Sequence, residues 1–142
     1  MSFSIDESGE FGARAARHLR EDPVAWLTTV SPVGAPLPSP VWFVWEEPDT
    51  VLMFSRDGVP RLRNLDANPR VALHFPGDGR GGDIVVLSGE ATAERDAPPA
   101  HAVPAYVDKY GWGFERLRVS PEEFSQRYPV PVRIRLTRLR GH

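Results

Sequence analysis

The sequence contains no cysteine. Disulfides, thiolate metal sites, iron–sulfur ligation and a cysteine nucleophile are excluded together. It also lacks any apolar run of about 18 residues, so no segment is predicted to span a membrane. The opening stretch, MSFSIDESGE, is acidic and has no apolar core, which does not fit a secretory signal. A cytoplasmic location is the expectation. A basic surplus is missing as well: 17 Lys and Arg stand against 19 Asp and Glu, for a net charge of −2. Duplex-binding domains usually carry a clear positive excess, so nucleic acid is not expected as a partner. Lysine itself occurs once, at Lys109; the other cations are arginine. That bias fits a GC-rich coding sequence, and it favours two-pronged recognition of phosphate or carboxylate.

What is present is an ordinary globular mixture, 41% hydrophobic and 25% charged over 142 residues. This is the size of one domain, spanning 1–142, able to bury its own core. A helix is predicted over 8–22, where Phe11, Ala15 and Leu19 recur at i, i+4, i+8 and Asp22-Pro23 closes it. Strands are predicted over 24–30, 36–45, 51–56, 70–75, 84–92 and 132–139. The second is unusual, with Pro36, Pro38 and Pro40 at i, i+2, i+4. One side of that strand lacks three N–H donors, which a sheet tolerates only at an edge. A short helix is predicted over 60–68, with Pro60 near its first position and Leu62 and Leu65 facing inward. Another spans 98–110, interrupted at Pro104 and stopped by Gly111. A third begins at Ser120-Pro121-Glu122-Glu123, a capping box. The pattern predicts a mainly β, six-stranded antiparallel barrel with short peripheral helices.

Few constellations carry chemistry. Gly77 to Gly82 spells G-x-G-x-x-G, but a strand follows it where a dinucleotide site needs a helix, so a hairpin loop is expected. His18, His74, His101 and His142 show no metal-pair spacing, and no carboxylate cluster completes a triad with them. The C-terminal arginines 133, 135, 138 and 140 read as a solvated strand face. The richest stretch is Phe54 to Leu65: a strand ends at Ser55, a turn intervenes, and a helix begins. Free N–H groups at such a helix start suit a phosphate. Arg61 and Asn64, at i, i+3, share a helix face expected to lie away from the core. The bland alternative pairs Arg56 or Arg63 with Asp57 or Asp66. Trp42, on the proline-edged strand, offers a wall on which a planar ring could stack; the alternative is that it is core.

These segments together resemble a known family. Val24 to Val30, Pro38-Ser39-Pro40-Val41-Trp42-Phe43, Arg61-Leu62-Arg63-Asn64-Leu65 and Asn68 to Phe75 are similar to the pyridoxamine 5'-phosphate oxidase-like FMN-binding split β-barrels. Within them the chain looks most like the actinobacterial flavin/deazaflavin oxidoreductases that depend on coenzyme F-420. The resemblance implies a homodimer with cofactor sites at the subunit interface and a small-molecule substrate. It implies a phosphate pocket at Ser55, Arg61, Arg63 and Asn64, and a ring pocket at Pro38, Val41 and Trp42. It implies hydride transfer from reduced F-420 to an electron-poor double bond, with FMN as the alternative cofactor and a non-catalytic flavin or haem binder as the alternative role. Arg61 stands where the resemblance leads one to expect lysine. Tyr106, Lys109 and Tyr110, or water, are the candidate proton donors.

Overall fold

The computed structural model describes residues 2–142. Seven strands form one curled antiparallel sheet in the order β2-β1-β5-β6-β7-β4-β3. In chain order these are α1 (Glu10–Glu21), β1 (Ala25–Val30), β2 (Pro36–Val41), β3 (Val44–Glu46), β4 (Thr50–Ser55) and α2 (Pro60–Ala67). Then come β5 (Arg70–His74), β6 (Val85–Ala93), a 3-10 turn (Ala100–Ala102), α3 (Pro104–Leu117), α4 (Pro121–Arg127) and β7 (Val130–Gly141). No helix is long and apolar enough to cross a membrane among the described residues.

The split-barrel architecture is the predicted one, with seven strands rather than six. The strand expected over 36–45 divides at Trp42-Phe43, and its halves, β2 and β3, form opposite edges of the sheet. The reason lies in where Phe43's backbone bonds go. Its N–H donates to the Tyr110 hydroxyl at 2.8 Å, and its carbonyl accepts from Lys109 Nζ at 2.9 Å. Side chains of α3 thus replace a strand neighbour, and the Phe43 ring turns into the core. β2 pairs with β1 alone, Pro36, Pro38 and Pro40 lying opposite Val30, Thr28 and Trp26. The remaining donors, at Leu37, Ser39 and Val41, share the side that meets β1, so the outer edge carries no N–H over this run.

Two apolar clusters flank β4, whose residues from Val51 to Ser55 are all buried. Val51 and Met53 join Leu27, Phe43, Leu73, Leu87 and Ile134 inside the barrel, capped by Ala15 and Leu19 of α1 and Leu62 and Leu65 of α2. Leu52 and Phe54 face the other way, toward Tyr106, Tyr110, Phe114 and Phe124 of α3 and α4. The expected helix over 98–110 is a 3-10 turn followed by α3. Gly111 does not stop α3, which bends at Tyr110 (φ −112°, ψ 16°), continues to Leu117 and ends at left-handed Arg118. The capping box of α4 is as predicted, Ser120 and Glu123 bonding reciprocally at 3.1 Å.

Candidate functional site

The end of β4, the start of α2 and the proline-edged β2 meet around Arg61. Its guanidinium bridges the two strands, Nη2 donating to Ser39 Oγ at 2.7 Å and Nη1 to Ser55 Oγ at 3.3 Å. Ser55 is fully buried and donates to the Arg56 carbonyl at 2.9 Å. Arg61 Nε is buried and has no hydrogen-bond acceptor. No carboxylate pairs with Arg61 or Arg56 among the described residues. Burial therefore pushes the Arg61 guanidinium below its ordinary value. A half-buried cation with an idle donor is costly unless something anionic meets it.

That group opens on a cavity of about 300 Å³ walled by Val41, Trp42, Phe54, Tyr106, Phe124 and Tyr128. A second hollow of about 310 Å³ shares Arg61 and Tyr128 with it and adds Arg56 and Ser39. Arg56 lies over the Tyr128 ring, 4.9 Å from its centre. The two hollows form a groove with an apolar aromatic end and a cationic end. Asp57, a predicted partner for Arg56, is taken instead by Arg95 at 2.9 and 3.0 Å.

Of the residues expected at the site, Val41, Trp42 and Arg61 line this cavity, with Ser55 directly behind Arg61. Pro38 and Arg63 are exposed and line neither hollow. Asn64 corrects the expectation that it lies away from the core. It is buried, and Nδ2 donates to Thr29 Oγ1 on β1 at 3.0 Å. The cause is helical drift: one turn after Arg61, α2 has rotated Asn64 over β1. Trp42 is less open than a free stacking wall. It lies parallel to Tyr110 at 4.6 Å and to Phe124 at 5.7 Å, as part of an internal aromatic stack.

The proton-donor candidates separate. Tyr110 is consumed structurally, accepting from Phe43 N–H and donating toward the Pro23 and Phe43 carbonyls at 2.7 and 2.9 Å. Lys109 lines a different hollow. Tyr106 alone lines the Arg61 cavity, its phenol held well above the ordinary value by burial. Sequence reasoning missed Ser39, Phe124 and Tyr128 as cavity residues. Ser39 was readable, since it alternates with the prolines; Tyr128 arrives from a distant helix end with no local signal. It also missed the setting of His18, which lies between Asp22 (Nδ1 to Oδ2, 2.6 Å) and Asp83 (Nε2 to Oδ1, 3.0 Å).

The pattern of the pyridoxamine 5'-phosphate oxidase family matches residues 11–133. The chain belongs to that family. Solved structures with this fold include a conserved hypothetical protein from Mycobacterium tuberculosis, 20% identical, with TM-score 0.67 over 99% of this chain and 88% of that one. An F-420 reductase is 22% identical, with TM-score 0.63 over 87% of this chain and 94% of that one. The haem storage protein HutZ of Vibrio cholerae is 20% identical, with TM-score 0.57 over 93% and 89%. At such identities the likeness shows the fold. No curated protein sequence matches the chain.

Proposed function

We propose that this family member is an oxidoreductase that uses reduced coenzyme F-420 to transfer a hydride to an electron-poor double bond of a small organic substrate. The observation that carries the reading is Arg61: a half-buried cation with no carboxylate partner among the described residues, at one end of an aromatic cavity. A phosphate supplies the negative charge this group lacks. In this reading Ser39 and Ser55 hold the guanidinium fork and Arg56 adds charge at the rim. Val41 and Trp42 wall the ring end. Asn64 acts by fixing α2 against β1. Pro38 and Arg63, both exposed, belong to the rim that a second subunit completes in a homodimer, each 1–142 unit acting as one domain in the cytoplasm. When bound, the cofactor supplies the hydride chemistry itself. The chain binds, orients and excludes water, and Tyr106, kept protonated by burial, offers a hydrogen bond into the cavity.

The same cation suits the phosphate of FMN, which is the second reading, with a non-catalytic flavin or haem binder on this fold as the third. Absorbance titration of the purified protein with F-420 and with FMN separates the first two. Adding reduced F-420 and a panel of enones then separates an enzyme from a binder. The expected result is preferential F-420 binding and enone-dependent loss of the reduced form. Preferential FMN binding, or F-420 binding with no turnover, contradicts the F-420 reductase.

A further inference from the structure

Two tyrosines of α3 are buried, Tyr106 at 1% exposure and Tyr110 at 0%, yet their hydroxyls are used differently. Every hydrogen bond that a tyrosine hydroxyl makes among the described residues belongs to Tyr110. The Tyr106 hydroxyl makes none. Among the described residues Arg61 Nε is the one fully enclosed side-chain polar atom without a partner. The unpartnered Tyr106 hydroxyl is therefore not enclosed; it opens on the cavity of about 300 Å³ that Tyr106 lines. Ring packing fixes it there, with Phe54 edge-on at 4.8 Å and Phe124 at 5.9 Å. Arg61 is the one charged residue of that lining, and the other phenol, Tyr128, also lines the hollow that holds Arg56. Tyr106 is thus the polar group that belongs to the aromatic end alone. Leu117, 46% exposed, adds apolar surface at the opening.

We propose that Tyr106 determines the substrate class: its hydroxyl donates a hydrogen bond to the carbonyl oxygen of an uncharged, largely apolar molecule held among Phe54, Phe124 and Leu117. This rests on the reading that gives Arg61 to the cofactor phosphate. The donor role follows from the phenol, whose oxygen lone pair is drawn into the ring, making it a good donor and a poor acceptor; burial keeps the proton on it. The ligand class follows from the walls. With Arg61 given to the phosphate, no cation remains in the lining to meet a carboxylate, and an unpaired anion among aromatic rings is costly to desolvate. A carbonyl offers a strong acceptor without that cost. In an α,β-unsaturated ketone the same bond draws electron density from the conjugated double bond, which makes the β carbon a better hydride acceptor.

Two variants and one probe test this. Tyr106→Phe and Tyr110→Phe each remove a hydroxyl and keep the ring. In the cofactor-free protein Tyr106→Phe should leave the Tm unchanged or raise it, since no bond within the protein is lost, whereas Tyr110→Phe should lower it. The probe is cyclohex-2-enone labelled with carbon-13 at its carbonyl, added with and without a saturating amount of whichever of F-420 and FMN binds. It is read by difference infrared spectroscopy and equilibrium binding. A hydrogen bond weakens C=O, so the bound carbonyl stretch should lie lower in the parent than in Tyr106→Phe, and the variant's affinity should fall about two- to tenfold. The same ring bearing a carboxylate should bind the parent about tenfold more weakly or worse. An identical stretch and affinity in parent and Tyr106→Phe, or a Tm that falls as far in Tyr106→Phe as in Tyr110→Phe, overturns the proposal. So does an enone signal seen without cofactor and abolished by it, which gives the phenol to the cofactor's own ring carbonyl. If neither cofactor binds but the Tyr106-dependent stretch persists, the cofactor reading fails and the role of Tyr106 stands.

Discussion

Arg61 and Asn64 sit one turn apart on α2 and act oppositely. Arg61 is a half-buried cation with no carboxylate partner among the described residues, whereas Asn64 is spent inside the protein on Thr29. Asn64→Ala leaves the buried Thr29 hydroxyl without its donor, a loss of about 1–3 kcal/mol. Thermal unfolding of the ligand-free protein should show a lower Tm for this variant; an unchanged Tm would mean the pair contributes nothing. Gly113 is a different kind of constraint. A Cβ there would overlap Cη2 of Trp42, which is already held between its stacking partners. Gly113→Ala should destabilise by about 1–3 kcal/mol through overpacking and disturb the wall of the Arg61 cavity. Near-ultraviolet circular dichroism, which reads the packing of Trp42, should change with it; an identical spectrum would contradict the close packing.

At the scale of elements, α1 and the loop between β5 and β6 are tied by one cluster. His18 bridges Asp22 on its own helix end and Asp83 at the loop, Arg14 reaches Asp83 at 2.5 Å, and Glu10 backs Arg14 at 2.9 Å. Burial opposes the charged imidazole, but the bonds to Asp83 and Asp22 outweigh it and raise His18 above its ordinary value. Both ring nitrogens face carboxylates, so both bonds exist only while the ring carries both protons. The stabilisation is therefore full below the unfolded value near 6.5 and is lost as pH rises through the higher folded one. Asp83 is held below its ordinary 3.8 by His18 and then Arg14, so its share is lost in acid, as pH falls through that lower folded value. The Tm difference between the parent and His18→Gln should be large at about pH 5.5 and shrink by about pH 9. A gap independent of pH would show that the protonated bridge is not what ties the loop. The contact of His18 with Asp22 follows the i, i+4 spacing of a helix, a local signal that the sequence reading did not use. Asp83, 65 positions away, gives no such signal, because helix periodicity carries no information on loop placement. The same limit explains the broken strand. The run from Pro36 to Trp45 reads as one strand locally, and the side chains of Lys109 and Tyr110, 66 and 67 positions from Phe43, turn it.

For the whole molecule, the sheet, its proline-marked edge and the position of the β4–α2 corner were legible, because alternation, proline spacing and capping residues act locally. The composition of the groove was legible only in part. Arg61 and Trp42 lie in segments that announce themselves, whereas Phe124 and Tyr128 reach the site through the packing of α4 on the 3-10 turn and on α3. The proposed homodimer belongs to this scale too: the exposed Leu37 on the edge strand β2, at 41% exposure, and exposed Val33, at 91%, are the apolar surface that the proposal gives a second copy to cover. Light scattering at micromolar concentration should give twice the mass of 15.8 kDa; a monomer would remove the subunit interface from the account. The central claim is that Arg61 holds the phosphate of the cofactor, and equilibrium titration of Arg61→Ala beside the parent protein tests it most directly. A charge-assisted hydrogen bond is worth about 1.5–3 kcal/mol, so F-420 affinity should fall about ten- to a hundredfold or more. If Arg61→Ala binds both F-420 and FMN as tightly as the parent does, the phosphate site is elsewhere and the account is wrong.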